Sequence, residues 1–136
     1  MTQELRQRHP ELHLIAKLSV CHPYEFAQEL ERLGVAALHT VNTVPWEVLY
    51  PPGLNPASPL AAVGGGGVSG GPAFKVAYDY NRGLRPLVKG FLIMGCGVKS
   101  QEEVQRYFDL GADAVSLCTL ALRRPPEAAR IIQAYN

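Results

Sequence analysis

Four polar or small-residue steps each close a short apolar run in this 136-residue chain: Lys17 after LHLIA, Asn42-Thr43 after ALHTV, Cys96-Gly97 after GFLIMG, and Cys118-Thr119 after DAVSL. Groups placed so regularly belong to a parallel βα array, in which functional side chains gather at the carboxyl ends of the strands. The segment VGGGGVSGGPAFK adds the chemistry of anion binding. Its glycines let backbone N–H groups approach a ligand closely, and a helix starting at Pro72 or just after it directs unsatisfied N–H groups and the positive dipole end at an anion. A phosphate is the natural guest. The turn Gly95-Cys96-Gly97 and the step Cys118-Thr119 follow at consecutive strand ends, and the loops after the last two strands of a βα barrel commonly make a phosphate site. Plainer readings stand beside these. They are a flexible linker for the glycine run, a lysine snorkelling to solvent at position 17, a turn at Asn42-Thr43, a helix cap at Ser69, and a backbone-bonded hydroxyl at Thr119.

The elements that position these residues alternate along the chain. LHLIAKLSV reads as a buried strand, and His22-Pro23 follows with the proline suited to the first position of a helix. Phe26, Leu30 and Leu33 lie at helical spacing, and Gly34 supplies the left-handed stop. VAALHTV is the second strand, with His39 expected in the core. GFLIM is the third. Ser100 and Glu103 form a capping box, Val104, Tyr107 and Phe108 share one helical face, and Gly111 ends that helix. DAVSL gives a fourth strand and PPEAARIIQAY a final helix. The echo of ERLGVAALHTVNT in FDLGADAVSLCTL indicates one βα unit used twice. Between the second and third strands runs a long connection. Its first part, PWEVLYPPGLNPASPL, is expected to be irregular, with Trp46 and Tyr50 either covering a ligand or packing the loop itself.

Composition narrows the function. A hydrophobic content of 47% supports one packed domain, and a net charge of +1 provides no field to gather nucleic acid or acidic lipid. No stretch approaches the roughly 18 to 20 apolar residues of a membrane span, and MTQELRQRHPE lacks the apolar centre of a signal peptide. A soluble, cytoplasmic protein is expected. Cys21, Cys96 and Cys118 are odd in number and lie near strand ends, which favours reduced thiols. With His22 or His39 they show no zinc-ligand spacing, so no metal is expected.

Taken together and in order, AKLSV, VNTV, GGGVSGGPA, GCGV and SLCTLAL resemble the C-terminal half of the FMN-dependent dihydroorotate dehydrogenase family, and the similar flavin domain of dihydropyrimidine dehydrogenase. The resemblance runs from about Leu12 to the end of the chain. It implies an α/β fold, the C-terminal half of a TIM (βα)8 barrel. About four βα units would make it up, with a long Pro/Gly-rich loop after the second strand. It also implies FMN as cofactor. Lys17 would lie beside the flavin pyrimidine edge and stabilise negative charge on the reduced ring, as a positioned cation does. Asn42 and Thr43 would hold a pyrimidine substrate. Ser69 and Gly70 would approach the ribityl chain or phosphate, and Cys96, Gly97, Cys118 and Thr119 would complete the phosphate cup.

Departures accompany the likeness. The third strand ends in Met94-Gly95-Cys96-Gly97-Val98 where relatives carry a turn like GxGGI, so a Cβ at Cys96 stands where a phosphate would approach backbone. Val20 stands where proline is common. A complete barrel takes roughly 250 residues, and the family's catalytic base, a cysteine or serine, would lie before Met1; Cys21 does not align with it. Along the single domain 1–136, residues 1–11 are expected as a lead, 12–44 as a βα unit with the second strand, 45–71 as the Pro/Gly-rich loop, and 72–136 as the phosphate-binding half. The expected function is the FMN-binding half of an oxidoreductase that oxidises dihydroorotate to orotate, incomplete alone. The alternatives are a non-catalytic phosphate or nucleotide module and a dihydropyrimidine dehydrogenase-like flavin module. Open strand edges predict self-association or pairing with a complementary N-terminal half-barrel.

Overall fold

A computed structural model describes every residue except Met1, Leu54, Asn55 and Asn136. Four parallel strands, β1 (Ile15–Leu18), β2 (Ala37–Thr40), β5 (Phe91–Gly95) and β6 (Ala114–Ser116), form one sheet in the order β1-β2-β5-β6. Between β2 and β5 lies a two-stranded antiparallel pair, β3 (Val44–Pro45) with β4 (Gly67–Val68). Helices α2 (Tyr24–Arg32), α4 (Phe74–Leu84), α5 (Gln101–Asp109) and α7 (Pro125–Ala134) make the crossovers and the closing layer. Three shorter helices, α1 (Thr2–Arg8), α3 (Trp46–Leu49) and α6 (Thr119–Arg123), fill the intervals. This is the α/β partial barrel that the motif order predicts. Among the described residues no helix is long and apolar enough to cross a membrane.

Strand periodicity of two gives the sheet two unlike faces. Leu18, Leu38, Leu92 and Met94 are buried, and they join one core with Ala27 and Leu30 of α2, Ala77 and Leu84 of α4, and Val104 and Tyr107 of α5. Thr40 sends its hydroxyl to Asn81 Oδ1, and Asn81 Nδ2 donates to Ala77 O at 2.9 Å, so a fully buried polar pair locks α4 onto β2. On the opposite face Ile15 is 57% and Phe91 49% exposed.

Several local expectations change in the structure. Phe26 is exposed and stacks on the His22 ring at 5.2 Å. Ala27 and Leu30 are the buried residues of α2, and Phe26 lines a cleft with Leu5, Ile15 and Val35. The segment expected to be irregular, of which Leu54 and Asn55 lie outside the described residues, is folded on itself where it is described. Val44 and Pro45 pair with Val68 and Gly67 to close its neck, α3 begins at once, Trp46 and Tyr50 pack at 4.4 Å, and Trp46 Nε1 donates to Pro56 O at 3.1 Å. Pairing across 20 or more intervening residues leaves no local trace in a proline-rich string. The lead 1–11 holds α1, and the residues after DAVSL form α6. The capping box is present with a shift: Ser100 Oγ accepts from Glu103 N, but Glu103 Oε2 reaches Lys99 N, one residue before the cap.

Candidate functional site

Each strand of the sheet delivers its carboxyl end to one opening, and the loops there are tied down by side chains from the helices behind. After β1, the Tyr80 hydroxyl of α4 donates to His22 O at 3.0 Å. Burial, with the neighbouring Tyr24 and Cys21, pushes that phenol up to about 12, so it stays a donor at any physiological pH. After β2, Asn42 N donates to Leu18 O at 2.7 Å, which turns Asn42 and Thr43 outward from a peptide bond, Thr40–Val41, that is cis. After β5, the Tyr107 hydroxyl of α5 donates to Gly95 O at 2.8 Å and contacts Cys96 O at 3.2 Å. Burial raises its pKa well above the usual phenol range. β4 brings Ser69 in from the side.

The result is a cavity of about 180 Å³ lined by Lys17, Asn42, Thr43, Ser69, Cys96, Gly97, Cys118 and Thr119, together with His39, Val41, Val98, Ser116 and Leu117. Of the residues expected to hold flavin or substrate, Gly70 alone lies outside it. Gly70 lines an adjoining cleft of about 640 Å³ with Gly71, Pro72, Lys99, Leu120, Arg123 and Arg124, and the two spaces share Ser69, Val98 and Thr119. The two spaces therefore adjoin, Lys17 lining the first and the basic residues Lys99, Arg123 and Arg124 lining the second beside the start of α4. Arg124 is partly spent on Glu127 at 2.8 Å and Lys99 on Glu103 at 3.7 Å, whereas Arg123 makes no ion pair among the described residues.

Two residues of the β5 turn have roles the sequence does not show. Gly97 has φ +84, and an added Cβ would overlap the Phe74 backbone, so this glycine is required by the close approach of the turn to α4. Cys96 has φ +71 and carries a Cβ all the same. Burial pushes its thiol up, against the opposing pull of Lys17 and of a backbone hydrogen bond from Val44, so the sulfur is protonated at neutral pH. Cys118 is exposed at the rim, and Cys21 is exposed outside the cavity.

His39 and Ser116 in the cavity, and Lys99 and Arg123 in the adjoining cleft, are site residues that the sequence does not single out. His39 was expected in the core, yet it is only half-buried, faces the cavity, and its Nε2 lies 2.9 Å from Ser116 Oγ. Alternation held the signal: if Leu38 and Thr40 face the helices, His39 must face the other way. Desolvation, then the charge of Lys17, lowers the His39 pKa from its ordinary 6.5, leaving a neutral imidazole at neutral pH. Trp46 and Tyr50 pack within the folded loop, around a separate cavity of about 440 Å³ with Glu47 and Pro56.

No protein-family model and no curated protein matches the sequence. Solved structures do. The fold is similar to ligand-free DHODH from Eimeria tenella, with a TM-score of 0.70 and 20% identity over 90% of this chain and 34% of that one. DHODH from Eimeria tenella in complex with ferulenol gives 0.65 and 20%, over 87% of this chain and 31% of that one. A chain of the BexX/CysO complex from Amycolatopsis orientalis gives 0.58 and 22%, over 98% of this chain and 44% of that one. At these identities the likeness is one of fold, and this chain spans less than half the length of each.

Proposed function

We propose that this chain is the FMN-binding part of a dihydroorotate dehydrogenase-like oxidoreductase, acting on dihydroorotate or a related pyrimidine. One observation carries the reading: two adjoining spaces beside the carboxyl ends of the strands are each lined by cationic residues, Lys17 in the first and Lys99 with Arg123, beside the glycine turn Gly70-Gly71, in the second. FMN has the matching polarity, a ring whose pyrimidine edge becomes anionic on reduction and a phosphate tail. The adjoining cleft is roomy, and an added Cβ at Gly70 would come within 3.2 Å of Thr119 Cγ2, so bare backbone borders the phosphate end.

When bound, the flavin supplies a two-electron acceptor; the chain's own residues bind and orient. Lys17 places a fixed charge where negative charge develops. Asn42 and Thr43, turned outward after β2, offer an amide and a hydroxyl to the edge of a pyrimidine. Ser69, Gly70 and Thr119 would border the phosphate, with Arg123 adding charge, and Cys96, Gly97 and Cys118 would border the ribityl chain on the Lys17 side. Strands β1 and β6, each paired on one side among the described residues, would be completed by a second copy of the chain or by a complementary half-barrel.

Flavin fluorescence during titration of FMN with the protein tests this. Saturable quenching is expected, weakened about tenfold or more in Lys17→Ala through loss of one charge-assisted contact. The side chain is exposed, so the variant should fold normally. Absence of saturable binding would refute the flavin reading, and binding of inorganic phosphate alone would favour the phosphate-module alternative.

A further inference from the structure

Lys17 and His39 are Cα partners on adjacent strands, so their side chains stand together on the face opposite the packed core, and His39 Nε2 reaches Ser116 Oγ across β5. The strand between them permits this because Gly95, the Cα partner of Ser116, has no side chain: an added Cβ would overlap the Ser116 hydroxyl. Lys17, His39 and Ser116 thus form a continuous polar row across the sheet. The residues lining the cavity around it include no carboxylate, so the positive charge of Lys17 meets no counter-ion there.

We propose that His39 is a second anion-recognition residue of this cavity, taking up a proton from solvent when a planar heterocyclic anion binds against Lys17, with Ser116 holding the imidazole in both charge states. The inference rests on the reading that the cavity takes a flavin or pyrimidine ring. With the cavity empty, burial and the charge of Lys17 keep His39 neutral. A bound anion neutralises Lys17 and places negative charge beside the imidazole, and both effects favour imidazolium. The groups facing His39 are Lys17 from β1 and Ser116 from β6. β5 presents the apolar Ile93, and the Cys96 and Cys118 thiols line the loop side of the same cavity. Ser116 suits both protonation states because a hydroxyl donates to a bare Nε2 and accepts from a protonated one. Such an anion has two sources, a carboxylated pyrimidine and the ring of a reduced flavin.

NMR titration of the His39 imidazole tests the proposal in the full chain, with the resonance assigned by His39→Gln. Titrations are run alone, with orotate, and with dithionite-reduced FMN. In the chain alone the midpoint should lie below 6.5 and rise in Lys17→Gln. It should also rise with whichever anion occupies the row. Affinity for that anion should fall about threefold or more between about pH 6 and about pH 8, and His39→Gln should lose that dependence. A midpoint moved by neither anion overturns the proposal, with no variant needed. Fluorescence binding of oxidised FMN separates the two readings. Binding of FMN with an unmoved His39 ends this inference and leaves the flavin reading, whereas an orotate-driven rise without FMN binding does the reverse.

Discussion

His39 has a consequence for stability as well as for binding. Its folded pKa is lowered, so the unfolded chain binds a proton more readily. The stabilising contribution is complete above 6.5 and lost as pH falls from there through the folded value. Urea midpoints measured from pH 7.5 to about pH 5 should therefore decline more steeply for the native protein than for His39→Gln; parallel curves would remove the effect. Cys96 gives a chemical prediction at the same scale. Its buried, protonated thiol should react with iodoacetamide after the exposed Cys21 and Cys118, an order that mass spectrometry of timed samples reads directly. The sequence exposes Lys17, Asn42, Thr43, Cys118 and Thr119 because each interrupts or ends an apolar run. His39 and Ser116 sit inside such runs. Only the face they occupy distinguishes them, and that face is fixed by register with strands far away in the chain.

Helices, in this fold, act on the site from behind. Tyr107 on α5 holds the two carbonyls of the β5 turn, and Tyr107→Phe should cost about 1–2 kcal/mol by leaving them without their buried donor. Thermal or urea unfolding reads the loss, and an unchanged stability would mean the turn needs no such anchor. Gly97→Ala should cost more than about 2 kcal/mol, since it combines a left-handed backbone with overlap on Phe74. The main elements were legible because their signals are local: apolar runs for the strands, Ser100 for the start of α5, Gly34 and Gly111 for helix ends. What escaped depends on distance or brevity. α6 is five residues long, too short for periodicity. The neck of the Pro-rich loop is made by β3 and β4, whose partners lie beyond the reach of any local pattern. Phe26 lies on α2 as its spacing predicts but is exposed, because periodicity gives a helix an apolar face without saying whether a neighbour covers all of it.

Among the described residues the outer strands β1 and β6 of the sheet each pair on one side, and Ile15, Phe26, Phe91 and Ile132 are exposed, Ile132 at 51%. Unpaired strand edges and apolar surface invite pairing. Light scattering of the 136-residue chain at micromolar concentration should then report a multiple of its 14.8 kDa mass, and a cooperatively unfolding monomer would contradict that expectation. Backbone amide NMR of the chain with and without FMN reads out directly where the flavin sits. Saturable shift changes are expected at Lys17, Asn42-Thr43, Ser69 to Gly71, Gly97-Val98 and Cys118-Thr119, which line the two adjoining spaces. No saturable change, or changes confined to the separate cavity around Trp46 and Tyr50, would contradict this placement.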